Sequence, residues 1–310
     1  MAFQKTLDLL YQKLLSDKTK KRSESAILVI AIASFIIHLA IIYLAYFNII
    51  SLDTSSEMLS SPIVAIYTPF SFILLYEVYL LIYYLPKSFT TYISKQYEII
   101  TLIIIRRLFK DLSNLKLTTD WFNINYDLQF TYDLIASILL FYLIYLFYVQ
   151  STKRYSTISN DIMQVEGISR FVKIKKMLAT SLVPIFILLA IFSFVSWFIQ
   201  TLFPSESAVS SFTNINNIFF EQFFTILIIA DVIVLLFSFF HTDEFHKVIR
   251  NSGFIISTIL IRLSFSVSGL LNNVLIISAI VFGLLILMIY NQFEKQIALK
   301  NEISRKTLET

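Results

Sequence analysis

Two carboxylates interrupt long apolar runs of the sequence and are the first candidates for chemistry. Glu77 lies within the run 62–86, and Asp231 lies within the run 217–241. A charge in hydrocarbon costs about 2.5–3.5 kcal/mol on insertion scales, and these short side chains cannot extend to the membrane interface as Lys and Arg do. Both acids therefore need a partner. We expect either a cation or proton site on a path lined by side chains, or two structural ion pairs in which each acid binds a buried arginine.

Basic side chains that could balance these acids occur in two shorter apolar segments, 89–109 and 246–266, which carry charges on both sides. The candidate balancing residues are Arg106, Arg107 and Arg262. In the first segment Lys95, Glu98 and Arg106 share one narrow arc of a helix, because steps of three or four residues return to the same face. This charged stripe predicts either the wall of an aqueous path or the solvated face of a helix at the membrane interface.

Two further ionisable side chains, His38 and Asp133, fall within apolar runs. His38 sits in the middle of the first run. Because histidine is the side chain that titrates near neutral pH, it could relay protons; the alternative is a neutral histidine that bonds a neighbouring helix. Asp133 lies near the start of its run, where we expect it to be in contact with water at the interface.

The strip HTDEFH at 241–246 contains two histidines, an aspartate and a glutamate. Five positions on a helix put His241 and His246 about 140° apart, unlike the pair four apart that binds zinc in the HExxH motif. The chain has no cysteine and only three histidines, so thiolate metal sites are excluded. We predict no metal site and no cofactor.

Signatures of the common catalytic and conducting sites are absent from the sequence, which has no phosphate-binding loop, no GxSxG, no HExxH and no TVGYG-like filter. The five prolines lie at or near the ends of apolar runs. Continuous helices are therefore expected, in contrast to transporters built on broken helices. The chain is predicted not to be an enzyme, and any ion site must consist of side chains.

The composition indicates that most of the chain is surrounded by lipid. Apolar residues make up 57% of the 310 positions and charged residues 15%, whereas soluble domains have about 45–50% and about 25%. We predict an all-α integral membrane bundle of about eight transmembrane helices, six long and two short and polar, the short ones at 89–109 and 246–266. The six long runs, each sufficient to cross the ~30 Å hydrocarbon core, are 26–50, 62–86, 128–150, 179–202, 217–241 and 270–291.

The distribution of Lys and Arg fixes the predicted topology. Basic residues cluster at 5–22, 153–176 and 295–306, whereas the loops 51–61 and 203–216 contain neither Lys nor Arg. The positive-inside rule places the three clusters in the cytoplasm, together with both chain ends. All three clusters fall on that side only if both short segments cross the membrane. The alternative is six crossings with two half-buried helices.

The sequence also predicts two parallel four-helix repeats. Asp231 follows Glu77 by 154 positions and Arg262 follows Arg107 by 155 positions, so acids and arginines recur in the same order. The predicted segments are a cytoplasmic amphipathic N-terminal helix (1–22), two transmembrane halves (23–155 and 156–292) and a cytoplasmic C-terminal tail (293–310).

These patterns together predict a membrane protein that conducts an ion or couples to one, along a polar path lined by side chains. The alternative is a non-catalytic membrane sensor or assembly subunit whose buried charges are structural pairs. The expected partners are the lipid bilayer, small inorganic ions, and either further copies of the chain or another membrane protein, but not nucleic acid. The Ile-, Lys- and Phe-rich composition favours a bacterial inner membrane.

Overall fold

The computed structural model describes residues 2–47, 49, 62–112, 125–153, 162–202, 211–240, 244–267 and 269–308. Within these ranges the chain is helical, apart from short turns, and contains no strand. The helices are α1 (Ala2–Leu14), α2 (Asp17–Tyr46), α3 (Tyr67–Tyr84), α4 (Phe89–Leu112), α5 (Asn125–Ser151), α6 (Ile162–Leu202), α7 (Ser211–Phe239), α8 (Phe245–Ser264) and α9 (Leu270–Leu308). The predicted all-helical class is confirmed for this part of the chain.

The predicted N-terminal segment 1–22 is divided between two helices. α1 ends at Leu14 and α2 begins at Asp17. Ser16 is the N-cap of α2. Its backbone is extended, and its side chain accepts a hydrogen bond from the backbone N–H of Thr19, which has no partner within the helix. The basic residues from Lys18 onward therefore begin the same helix that contains the first apolar run.

Five stretches of helix are long and apolar enough to cross a membrane, which is compatible with an integral membrane protein. α3 contains a shorter apolar helix, Thr68–Tyr84, and neither α4 nor α8 is among the five. Eight crossings and the repeat therefore remain predictions. The five stretches are Lys5–Tyr46, Asp127–Ser151, Ser169–Phe192, Gln222–Phe239 and Leu270–Ser304.

The chain divides into two compact units, each drawn from three segments. The first unit comprises Met1–Tyr83, Ile99–Ser137 and Ala179–Phe223, and the second comprises Tyr84–Glu98, Ile138–Leu178 and Phe224–Thr310. Each unit contains segments from both predicted transmembrane halves, 23–155 and 156–292. The two units therefore do not correspond to the two halves, and the division at residue 155 stays a prediction from the sequence.

In the first unit, tyrosines on one face of α3 hold the junction between α1 and α2. Tyr79 donates a hydrogen bond to the carbonyl of Leu14 (2.9 Å), Tyr76 donates one to Glu24 (3.0 Å), and Tyr83 donates one to Asp17. The spacing of three and four residues places these hydroxyls on the same side of the helix. α3 therefore anchors the start of the first long helix.

In the second unit, α8 and α9 form a closely packed antiparallel pair. A Cβ added at Gly253 would lie 2.8 Å from Cγ1 of Ile286, and one added at Gly283 would overlap the hydroxyl of Tyr97. Ser257 joins the same contact, because its hydroxyl lies 2.6 Å from that of Tyr97 and donates to the carbonyl of Ala279. The two glycines permit an approach that a side chain would prevent.

Candidate functional site

A buried polar cluster in the second unit is built around Asp231 of α7. The carboxylate of Asp231 is completely buried. One oxygen, Oδ1, accepts a hydrogen bond from the hydroxyl of Tyr92 on α4 at 2.7 Å. The other oxygen, Oδ2, lies 2.7 Å from Nη1 of Arg262 on α8. The acid thus contacts two helices, and its charged partner is Arg262, one of the candidate balancing residues.

Gln96 extends this cluster by one turn of α4. Nη2 of Arg262 donates a hydrogen bond to Oε1 of Gln96 at 2.9 Å, and both side chains are buried. Three buried atoms of the cluster have no hydrogen-bond partner in the described residues, namely Nε2 of Gln96, Oδ2 of Asp231 and Nη1 of Arg262. The last two form an ion contact whose geometry is not that of a hydrogen bond.

Lys175 of α6 adds a second cation beside Asp231, which attracts it electrostatically. Lys175 is only 2% exposed, and its ammonium donates to the carbonyl of Lys87. The ammonium also lies over the rings of Phe89 (5.0 Å) and Phe171 (5.4 Å), a cation–π arrangement. Sequence reasoning counted Lys175 with the cytoplasmic basic cluster and did not predict its burial.

The described cluster therefore contains one acid and two bases, because Arg262 contacts Asp231 directly and Lys175 is attracted to the same carboxylate without forming an ion pair with it. An uncompensated charge in a low-dielectric interior is strongly unfavourable. The cluster defined by Asp231, Arg262, Lys175, Tyr92 and Gln96, called the Asp231 cluster below, has more donors than acceptors. Chemically it can bind an additional anion, release a proton, or exchange the partners of its ion pair.

In the first unit, Glu77 of α3 pairs with Arg106 of α4. Oε2 of Glu77 lies 3.3 Å from Nη1 of Arg106, and this nitrogen also donates a hydrogen bond to the carbonyl of Phe70 at 3.2 Å. Glu77 is buried, and its Oε2 atom has no hydrogen bond among the residues that the structure describes. The acid is again held by an arginine through an ion contact alone.

Asp133 of α5 differs from Glu77 because both of its carboxylate oxygens accept hydrogen bonds. The expectation that Asp133 contacts water at the interface is wrong. The side chain is completely buried. Its Oδ1 accepts hydrogen bonds from Nη2 of Arg107 (2.9 Å) and from Gln129 (2.7 Å), and its Oδ2 accepts one from Nε of Arg107. The two-pronged geometry is the strongest arrangement available to an Arg–carboxylate pair. Arg107 is thus bound to an acid that sequence reasoning had not assigned to it.

Lys95 and Glu98 pair with one another on α4. The ammonium of Lys95 lies 2.7 Å from Oε2 of Glu98, and the two side chains are 26% and 32% exposed. The same ammonium lies 5.8 Å from the ring centre of Tyr84 and 5.9 Å from that of Tyr148. None of these contacts of Lys95 and Glu98 involves a residue of the Asp231 cluster.

The histidines take part in local contacts. Nδ1 of His38 is hydrogen bonded to the hydroxyl of Thr68, which joins α2 to the start of α3. Nε2 of His246 lies 3.0 Å from Glu294 and 3.3 Å from Glu244. His241 lies outside the described residues. In the parts of the chain that are described, no group of three or more His, Asp or Glu side chains is arranged to hold a metal ion.

Comparisons of this chain with protein-family models, with curated proteins and with solved structures found no match.

Proposed function

We propose that this chain is an integral membrane protein that conducts a small inorganic ion or couples to one, and that the Asp231 cluster acts on the ion. The observation that supports this most is a buried cluster in which Nε2 of Gln96 has no hydrogen-bond partner among the described residues, and in which Asp231 and Arg262 meet at 2.7 Å without the geometry of a hydrogen bond. A buried polar atom left without a partner costs about 1–3 kcal/mol, and more when charged. Such groups are rare, and a bound ion or a functional role is a recognised reason for them.

The contrast with Asp133 strengthens this reasoning. Asp133 is equally buried, but its oxygens accept three hydrogen bonds from Arg107 and Gln129. Glu77 and Asp231 each keep one oxygen that has an ion contact and no hydrogen bond. A carboxylate that already satisfies its partner gains little from an ion, whereas a partly satisfied carboxylate or guanidinium can exchange partners. We assign Asp133 to structure, and Glu77 and Asp231 to the polar path.

The proposed topology has eight crossings with both ends in the cytoplasm of a bacterial inner membrane. α4 has 24 residues and α8 has 20. At 1.5 Å per residue these helices are about 36 Å and about 30 Å long, which is sufficient for the hydrocarbon core. Three of their arginines are engaged by protein partners, because Arg106, Arg107 and Arg262 all contact buried acids. Such pairing lowers the cost of charges within a crossing helix.

The pairing pattern also supports the proposed repeat. Glu77 on α3 contacts an arginine on α4, and Asp231 on α7 contacts an arginine on α8. The acids are 231 − 77 = 154 positions apart, and the arginines that bind them are 262 − 106 = 156 positions apart. By contact, the counterpart of Arg262 is therefore Arg106, and the match to Arg107 made from sequence position alone is displaced by one residue.

A second candidate function is a non-catalytic sensor or assembly subunit. It is favoured by the finding that three of the buried acids in the described residues are held by arginines on a different helix, namely Glu77 by Arg106, Asp133 by Arg107 and Asp231 by Arg262. Under this alternative the three ion pairs are equivalent structural ties, and no ion moves through the protein.

Ion flux in proteoliposomes distinguishes the two functions. The wild-type chain is compared with Glu77→Gln and Asp231→Asn, with protons, monovalent cations and halides tested over a range of voltages. Asp133→Asn is the matched control, because it also removes the charge of a buried, arginine-bound acid. Flux is normalised to the amount of folded protein, measured by size exclusion.

We expect flux in the wild type that falls at least tenfold in Asp231→Asn or Glu77→Gln and is retained in Asp133→Asn. Equal loss per folded protein in all three variants would contradict the assignment of Glu77 and Asp231, but not Asp133, to the path. Absence of flux from folded wild-type protein under every condition would reject transport and leave the subunit function.

A further inference from the structure

An open groove runs along one face of α5 in the second unit. It has a volume of about 410 Å³. Its wall consists of five residues of α5 and the residue that follows the helix, namely Phe141, Ile144, Tyr145, Tyr148, Val149 and Thr152. These positions follow one another at steps of three, one, three, one and three residues, so they form one continuous helical stripe. α5 is among the helices that are long and apolar enough to cross a membrane. Phe141, Tyr145 and Tyr148 are exposed, so in a membrane-spanning α5 this groove would face lipid.

The length of this groove matches one leaflet of a bilayer. From Phe141 to Thr152 there are 11 residue steps, which correspond to about 16 Å along a helix. Half of the ~30 Å hydrocarbon core is nearly the same distance. The stripe also ends near the last residue of α5, Ser151. An acyl chain that entered at this end would extend to about the middle of the membrane.

The polar end of the groove is formed by Glu98, which lines it, and by Lys95, which pairs with Glu98. The Lys95 ammonium lies near the rings of Tyr84, the last residue of α3, and Tyr148, close to the end of α5. Tyrosines at helix ends are typical of the membrane–water interface. In the proposed topology the Lys95 charge would therefore lie at the depth of the interface, where a long lysine side chain can snorkel.

The Lys95–Glu98 pair can bind a headgroup that carries both charges. Both side chains are partly exposed, and among the described residues their only hydrogen bonds are with each other. An ammonium has three donors and a carboxylate about four acceptor positions, so each keeps free capacity. A phosphate suits Lys95, and a primary ammonium suits Glu98. A packed second helix would instead cover these charges with apolar side chains.

We propose that this groove is a binding site for a zwitterionic phospholipid with an ethanolamine-type headgroup. One acyl chain lies along the α5 stripe, the phosphate binds Lys95, and the ammonium binds Glu98. The site shares no residue with the Asp231 cluster, so lipid binding stands or falls separately from ion transport.

The test is native mass spectrometry of the full-length chain in detergent, titrated with phosphatidylethanolamine or with phosphatidylglycerol of the same acyl chains. Val149→Trp fills the groove, and Leu139→Trp is its matched control, because both residues are on α5 and both are 40% exposed but Leu139 does not line the groove. Glu98→Gln and Lys95→Gln test the headgroup contacts, with Lys295→Gln on α9 as the control for an exposed positive charge.

We expect one saturable phosphatidylethanolamine per chain. Glu98→Gln and Lys95→Gln should each weaken binding about tenfold, the equivalent of one charge-assisted hydrogen bond. Val149→Trp should weaken binding at least as much, because the indole occupies the space of the acyl chain, whereas Leu139→Trp and Lys295→Gln should leave it unchanged. Equal binding of both lipids with no effect of Glu98→Gln would overturn the headgroup assignment. Binding that is absent, or unaffected by Val149→Trp, would overturn the site itself.

Discussion

Removal of the negative charge at Asp231 should destabilise the second unit severely. In Asp231→Asn the shape of the side chain is kept, and the Asn carbonyl can still accept the hydrogen bond of Tyr92. The attraction to Arg262 at 2.7 Å is lost, together with the attraction to Lys175. The variant therefore leaves two buried cations and no acid among the described contacts of the cluster.

The expected cost follows from this imbalance. Loss of one partner of a buried ion pair costs about 3–5 kcal/mol, because the remaining charge stays buried without compensation. A second substitution, Arg262→Gln, removes one of the stranded charges. The double variant should therefore be more stable than the sum of the two single effects predicts, by about 1–3 kcal/mol.

The assay is unfolding in mixed micelles of increasing SDS fraction, followed by near-ultraviolet circular dichroism of the tyrosines. Glu98→Gln provides the control, since it also changes an acid to an amide in a lysine pair on α4, but at 32% exposure. A partly exposed pair of this kind contributes about 0–1 kcal/mol. The double-mutant cycle consists of the wild type, Asp231→Asn, Arg262→Gln and the double variant. Glu98→Gln is measured beside it as the control.

Two results would refute this reasoning about the Asp231 cluster. One is a free energy of unfolding for Asp231→Asn within about 1 kcal/mol of wild type, which would mean that water or an ion already screens the charge. The other is strict additivity in the double variant, which would mean that Asp231 and Arg262 are not energetically coupled.

Gly283→Ala should reduce the free energy of unfolding by about 1–3 kcal/mol through overpacking, because the new methyl group would overlap the Tyr97 hydroxyl; Tyr97→Phe in the same chain should recover part of that loss, and an equally large loss in the double variant would contradict the steric explanation. Single cysteines at Asn114 and Ser268, introduced into a chain that has none, should react with an impermeant thiol reagent from outside the cell if α4 and α8 cross; labelling of either one only after permeabilisation would contradict the crossing of the corresponding helix.

The sequence contained enough information to identify the charged pairs but not their complete surroundings. Glu77 and Asp231 could be selected because an acid in an apolar run requires compensation, and Arg262 followed as a cation at the right depth. Each acid contacts one of the candidate arginines in the structure, Glu77 contacting Arg106 and Asp231 contacting Arg262. The physical rule that charges in hydrocarbon need partners is independent of the details of packing, so it applies before any fold is known.

The neutral and distant members of the Asp231 cluster could not be predicted in this way. Tyr92 and Gln96 lie on a helix whose charged stripe attracted attention to Lys95 and Glu98 on another face. Lys175 belongs to a run of basic residues that reads as a cytoplasmic segment, and only the packing of α6 shows that its ammonium is buried over Phe89 and Phe171. Sequence spacing gives the face of a helix, but it does not give the neighbour which that face contacts.

The neighbouring arginines of α4 show how a single residue step decides a partner. Successive residues on an α-helix point about 100° apart, so Arg106 and Arg107 cannot serve the same acid equally. Arg106 reaches Glu77 on α3, and Arg107 reaches Asp133 on α5. Within the first unit, two ion pairs therefore connect α4 to its neighbours. The Glu77–Arg106 pair has no hydrogen bond between its partners, whereas the Asp133–Arg107 pair is hydrogen bonded through both carboxylate oxygens. A rotation of α4 during ion coupling would break the weaker Glu77 contact first, which is why Glu77, and not Asp133, belongs to the proposed path.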